Sequence, residues 1–204
     1  MTRSDSYLNL NRKLHIHLGL ILILFIWLFS LSGLLLNHGD WKFASFWDQR
    51  QESKIDFTAP VSTLDASDPK ASIMQFLNIS GEVQEQKRTS DVLEFRVQSP
   101  GTVRDVHIDL TTGSGTEKVM QYNLWGKWRT LHTFNGMSKE NPSSSPNWWI
   151  TNVWRFTMDG IAVGLIIICL SSWIMWYNVR KEYRLGYIIL AGSFAVAGYF
   201  LLWS

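Results

Sequence analysis

Five histidines, His15, His17, His38, His107 and His132, and a single cysteine, Cys169, hold most of the metal-ligating capacity of this chain. A neutral imidazole offers an in-plane lone pair and is a common ligand for haem iron and other metals. One cysteine excludes an intrachain disulfide framework, a cysteine-based metal site and an iron–sulfur ligand set. His38 and His132 are the pair that fits haem best. Two imidazoles on opposite sides of a porphyrin fill both axial positions, leave no open site and favour electron transfer. The plainer role for the same residues is that of interfacial histidines with a hydrogen-bonded ring.

His15 and His17 lie two residues apart, so on a helix they point to nearly opposite sides and cannot grip one iron together. Either serves as a ligand only if another subunit or a non-histidine group completes the site; the alternative is interfacial anchoring. His107 alternates with Val106 and Ile108 in a strand-like run, which places it on the solvent face. Arg155 and Asp159 have the four-residue spacing of a helical ion pair, in the weaker order. A carboxylate at Asp159 suits a histidine ring or a ferric ion, and it equally suits a helix start at a membrane surface.

These side chains are positioned by three apolar runs. From Leu18 to Leu36 there is neither charge nor proline, close to the ~20 residues a bilayer core requires. At about 1.5 Å per residue, His17 and His38 stand roughly 30 Å apart, one at each membrane face. A secretory signal is disfavoured because the run is long and apolar residues continue past Ser30-Leu31-Ser32-Gly33. Gly160–Tyr177 and Leu185–Trp203 form the second and third runs. Eleven tryptophans suit membrane–water interfaces, Trp41, Trp47, Trp148 and Trp149 among them, with Phe43 and Phe46 beside the first two. Ser30, Ser32, Gly33, Gly164, Ser171, Ser172, Gly192, Ser193, Ala195 and Ala197 suit close helix–helix or subunit packing.

The expected fold class is a membrane α-helical protein of three transmembrane helices, with a small α+β extracytoplasmic domain between the first two. Residues 1–13 form a tail, 14–37 the first span, 38–147 the outer region, 148–177 the second helix with an outer extension, 178–184 a loop and 185–203 the third span. Within the outer region, Asp68-Pro69 starts a helix carried by Ala71, Ile73, Met74 and Leu77. Val92–Val97, Val103–Leu110 and Glu117–Gln121 read as about three antiparallel strands, giving a module at about 67–121. Asn135–Asn147 is a Ser-, Asn- and Pro-rich loop. Arg3, Arg12 and Lys13 before the first span, and Arg180, Lys181 and Arg184 between the second and third, place the N-terminus in the cytoplasm and the domain outside, in the periplasm of a Gram-negative cell. A net charge of +2 gives no basic footprint for nucleic acid. Phosphate-loop, dinucleotide-fingerprint, HExxH and nucleophile-elbow motifs are absent from the sequence.

The run LHIHLGLILILFIWLFSLSGLLLNH, the segment LHTFNG at 131–136 and WRFTMDGIAVGLIIICLSSWIMW at 154–176 resemble the membrane segments of PepSY-associated transmembrane proteins. The helix-then-strands pattern with IDLTTGSG between them resembles a PepSY-like module. The resemblance covers most of the chain, which is shorter than the larger members with four or more helices. It implies a bacterial inner-membrane protein linked to iron acquisition, a b-type haem, and matches at His38, His132 and His15. Two functions follow as expectations. One is a haem-binding ferric or ferric-siderophore reductase that draws electrons from quinol or another membrane donor and leaves ferrous iron to a separate transporter, alone or as a homodimer. The other is a non-catalytic membrane adaptor whose PepSY-like domain binds a peptide or protein.

Overall fold

The computed structural model describes residues 3–45, 47–60, 64, 67–136, 145–179 and 183–203. Phe46, residues 137–144 of the Asn135–Asn147 loop, and Arg180 and Lys181 of the basic connection lie outside the described residues. The chain divides into two compact units, Phe25–Asp159 and Met1–Leu24 with Gly160–Ser204.

Three helices are long and apolar enough to cross a membrane: α1 (Arg3–Asn37), α4 (Trp149–Val179) and α5 (Tyr183–Trp203). The helix α1 begins in the polar stretch that the sequence reads as a tail, because Ser6–Lys13 contains no proline or glycine to stop it. Among its covered residues Asn11, His15, Leu18, Leu22, Phe25, Phe29 and Ser32 recur at alternating four- and three-residue steps, and the buried Leu35 follows Ser32 by three, which marks a seam along the helix. Within the Met1–Leu24 and Gly160–Ser204 unit, Gly164 of α4 admits the Leu22 side chain. In the same unit Asn11 Nδ2 donates to the Ser171 carbonyl at 3.1 Å. Gly164 and Ser171 therefore serve the helix contact their size suggests. Trp176 covers Gly186, and its ring meets that of Tyr187 edge-on.

The Phe25–Asp159 unit carries a five-stranded antiparallel sheet: β1 (Gln51–Thr58), β2 (Glu82–Arg88), β3 (Val92–Ser99), β4 (Thr102–Asp109) and β5 (Ser114–Gln121), in the order β1-β5-β4-β3-β2. The helix α2 (Pro69–Phe76) connects β1 to β2, which lie at opposite edges of the sheet. Asp68 caps it by accepting from the Ala71 amide, with Pro69 in its first turn. Leu93, Phe95 and Val97 of β3 and Val106 and Ile108 of β4 face Ile73 and Ile79 to form the core. Burying one such large aliphatic side chain contributes about 1.5–3 kcal/mol. Arg104 and the buried Glu117 share that face as an ion pair.

Two polar edge strands, β1 and β2, extend the sheet beyond the three strands that alternation picks out. Both contain too few apolar residues to show a two-residue period. Gly113 makes the β4–β5 turn at φ +75°, and a Cβ there would meet the Ala59 carbonyl at 2.5 Å. Asp109 closes the same turn. It accepts from the Thr111 hydroxyl and from the Thr111 and Thr112 amides, which hold its carboxyl below the usual aspartate range. A depressed folded pKa contributes stability that is present above the ordinary aspartate pKa of about 3.9 and is lost as pH falls through the folded value. Acid titration of the sheet domain is therefore expected to unfold it less steeply with pH in Asp109→Asn. Identical acid profiles for the variant and the wild type would refute this.

Candidate functional site

His132 lies near the end of α3 (Leu124–Thr133), a ten-residue helix. Asn123 starts it by accepting from the Gly126 amide at 3.0 Å, and its own amide donates to the Ser45 carbonyl and to Gln49 Oε1, both at 2.8 Å. These bonds tie α3 to the segment that follows α1.

The His132 ring meets α1 at Phe29, Ser32 and Gly33. Its centroid is 5.3 Å from that of Phe29, with the rings at 63°. A Cβ on Gly33 would stand 3.7 Å from His132 Cε1, so the ring occupies space that a larger residue would take. Nδ1 lies 2.8 Å from Oγ of the fully buried Ser32. Ser32 Oγ itself donates to the Phe29 carbonyl at 3.1 Å. When the hydroxyl gives its one proton to the Phe29 carbonyl it accepts from His132 Nδ1–H, which leaves the lone pair of the neutral ring on Nε2. An N–H held by a neighbouring acceptor, with the other nitrogen free, is the arrangement that supports a metal-ligating histidine.

The surroundings are aromatic. Phe29 also meets Trp154 of α4 at 6.2 Å. Trp27, Trp128, Trp125, Phe43, Trp41 and His38 form a continuous string, each ring within 6.0 Å of the next. Thr151 Oγ1 and Trp154 Nε1, three residues apart on α4, are buried and among the described residues find no hydrogen-bond partner. Such orphaned groups cost about 1–3 kcal/mol each.

His38 follows the end of α1 and its ring stacks on Trp41 at 4.4 Å, nearly parallel at 4°. Stacking covers a face and leaves the in-plane nitrogens clear, so the contact fixes the ring without occupying its lone pair. His38 and His132 thus have different immediate partners, Trp41 and Ser32. Ser32 and Gly33, which sequence alone assigns to helix packing, here seat the His132 ring. The signal for Ser32 is its place on the seam of α1, three residues after Phe29.

In the other unit, His15 lies on the seam of α1, with Nδ1 buried and without a hydrogen-bond partner among the described residues. His17 is exposed and donates from Nδ1 to the Lys13 carbonyl at 2.7 Å. The two point apart, as their spacing requires. Arg155 and Asp159 are both exposed on α4, and among the described residues no ion pair joins them. Likewise among the described residues, no group of three or more His, Cys, Asp or Glu side chains converges as a metal site.

A second polar cluster joins the sheet to α4. Glu82, 1% exposed, accepts from the Asn147 amide at 2.7 Å and the Trp148 amide at 3.0 Å, just before α4 begins. The Asn147 side chain in turn accepts from the Val83 amide and donates to the Val83 carbonyl. On the open face of the sheet, Arg96 bridges Asp105 and Glu85, and the Asp105 bond raises the guanidinium pKa further. His107 is exposed there beside Glu94.

No protein-family model, no curated protein and no solved structure matches the chain. Three helices long and apolar enough to cross a membrane, with a small antiparallel-sheet domain, are the architecture of a candidate multi-pass membrane protein.

The Ser32 hydroxyl is expected to set how His132 is held. Ser32→Ala removes the acceptor of Nδ1–H, at a cost of about 1–3 kcal/mol for the unpaired buried group. The imidazole resonances of His132 should then show a shifted tautomer balance by 15N NMR. An unchanged spectrum would remove the argument for a fixed Nε2 lone pair.

Proposed function

We propose that this is an inner-membrane protein that binds b-type haem and reduces ferric iron or a ferric chelate on the periplasmic side, supplying ferrous iron to a separate transporter. The observation that carries this reading is the fixed His132 ring, with Nδ1–H bound and Nε2 free among aromatic side chains. In this reading His132 and His38 would hold the iron, and Trp41 would keep the plane of the His38 ring. His15 and His17 are lesser candidates at the inner end; their opposed directions call for a second chain to complete any site there.

Haem, when bound, supplies a one-electron couple. The chain's own part is to orient and exclude water. Ser32 fixes the His132 tautomer, Phe29 and Trp154 close one side with apolar surface, and the tryptophan string suits the membrane interface. Reduction of each ferric ion takes one electron, drawn in this reading from quinol or another membrane donor. Arg155 and Asp159, exposed at the start of the second apolar run, would act in support by presenting charge to the ferric chelate. The basic residues around α1 and between α4 and α5 support a cytoplasmic N-terminus in this reading.

The test is the rate of ferrous iron formation outside cells expressing the protein, trapped with an impermeant ferrous chelator. His132→Ala and His38→Ala are each expected to lower the protein-dependent rate at least tenfold. Full rates in both variants would favour the second reading, a non-catalytic adaptor. That reading is supported by the sheet's open face, where Arg96 pairs with Glu85 and Asp105 and His107 lies beside Glu94.

A further inference from the structure

The strand β1 ends the sheet, and among the described residues no other strand pairs with its outer edge. The opposite edge is partly occupied, since the Asn147 side chain bonds the Val83 amide and carbonyl of β2. Long unprotected edges are templates for a further strand, and proteins commonly block them with proline, bulges or short length. β1 has none of these over Gln51–Thr58, and its register with β5 is unbroken.

The backbone fixes which residues face outward. Ala59 donates its amide to the Gly113 carbonyl of the β5 side at 2.8 Å, continuing the β1–β5 register. Alternation then turns the amides and carbonyls of Ile55 and Phe57 towards β5. Those of Glu52, Lys54, Asp56 and Thr58 turn to the open edge.

We infer that β1 pairs antiparallel with β1 of a second copy of this chain, with Ile55 opposite Ile55 of the partner subunit on the twofold axis. Registers shifted by one residue set outward-facing groups against inward-facing ones. Centring the axis on Lys54 opposes two lysines and sets Glu52 against Asp56. Centring it on Asp56 opposes two aspartates. The Ile55 register sets Lys54 opposite Asp56 twice, with Glu52 opposite the neutral Thr58, and it pairs the strand over Glu52–Thr58; centring the axis on Ser53 opposes Lys54 to Glu52 but pairs only Gln51–Ile55 of the strand. These charges lie on the open face of the sheet, where Lys54 and Asp56 are 69% and 77% exposed.

The other face is complementary too. Ile55 is half-exposed, and Phe57, on its side of the strand, packs on Phe76, which is also half-exposed. Pairs that are not hydrogen-bonded to each other stand closest across antiparallel strands, so Ile55 meets its copy at short range and the apolar patch continues across the axis.

The test uses the full chain in native membranes, with Cys169→Ser to remove the natural thiol. Under mild oxidation Ile55→Cys is expected to give a covalent dimer of twice the 23.6 kDa chain, while Lys54→Cys and Asp56→Cys remain largely monomeric. Adding Lys54→Glu to Ile55→Cys should lower the dimer yield at least tenfold, and adding Asp56→Lys to that variant should restore it. Absence of the Ile55→Cys dimer, preferential cross-linking at position 54 or 56, an adduct with a different polypeptide, or indifference to charge reversal would overturn the inference.

Discussion

Protein carrying His132→Ala should purify without haem and lose the associated ferric reduction. The substitution removes the nitrogen whose lone pair the Ser32 bond leaves free, and no neighbouring side chain can replace it. Phe29 and Trp154 lack a ligating lone pair. Ser32 is bound to the Phe29 carbonyl and faces the deleted ring. In the proposed function His132 is one of the two residues that would hold the haem, and its loss would leave one. Occupancy measured as the pyridine haemochrome is therefore expected to fall at least tenfold. His38→Ala serves as the comparison. Its ring stacks on Trp41 at the exposed end of α1, so its loss should disturb the fold less while removing the second residue proposed to hold the haem. Full haem occupancy in His132→Ala would exclude this histidine as a ligand.

Glu82→Ala is expected to cause the largest loss of stability among substitutions outside the core. Its carboxylate is almost completely buried and accepts two backbone amides at the start of α4. That helix end has unsatisfied N–H groups and a partial positive charge, both of which a carboxylate offsets. Hydrogen bonds to a charged group are worth roughly 1.5–3 kcal/mol each, and their loss strands the donors. A total near 3 kcal/mol is expected, seen as a lower thermal midpoint of the sheet domain and faster hydrogen exchange at the Asn147 and Trp148 amides. Unchanged exchange there would show that Glu82 does not hold this junction.

The long apolar helices were legible because length and absence of charge suffice to mark them. The strands β3 and β4 were legible because Leu93, Phe95, Val97, Val106 and Ile108 keep a two-residue period. The strand β2 was not, because as an edge strand it buries little and reads as a polar run. α3 was hidden for another reason: Leu124–Thr133 mixes Trp, Gly, Lys, Arg and His, and its position depends on Asn123 reaching Ser45 and Gln49, 78 and 74 residues away. The histidines were visible as candidates, and their spacing already separated His15 from His17. Their partners were not visible. Ser32 and His132 are 100 residues apart, and nothing local in LFSLSG distinguishes a serine that seats a ring from one that lets helices approach. Arg155 and Asp159 have the spacing of an ion pair, and among the described residues none joins them.

The central claim is that the fixed His132 ring is a haem ligand. A reduced-minus-oxidised absorption spectrum of the full chain, purified in detergent after haem-replete expression, tests it most directly. Sharp reduced α and β bands beside a Soret maximum, lost in His132→Ala, are the predicted result. A colourless protein with an intact sheet domain, or bands unchanged by His132→Ala, would contradict it.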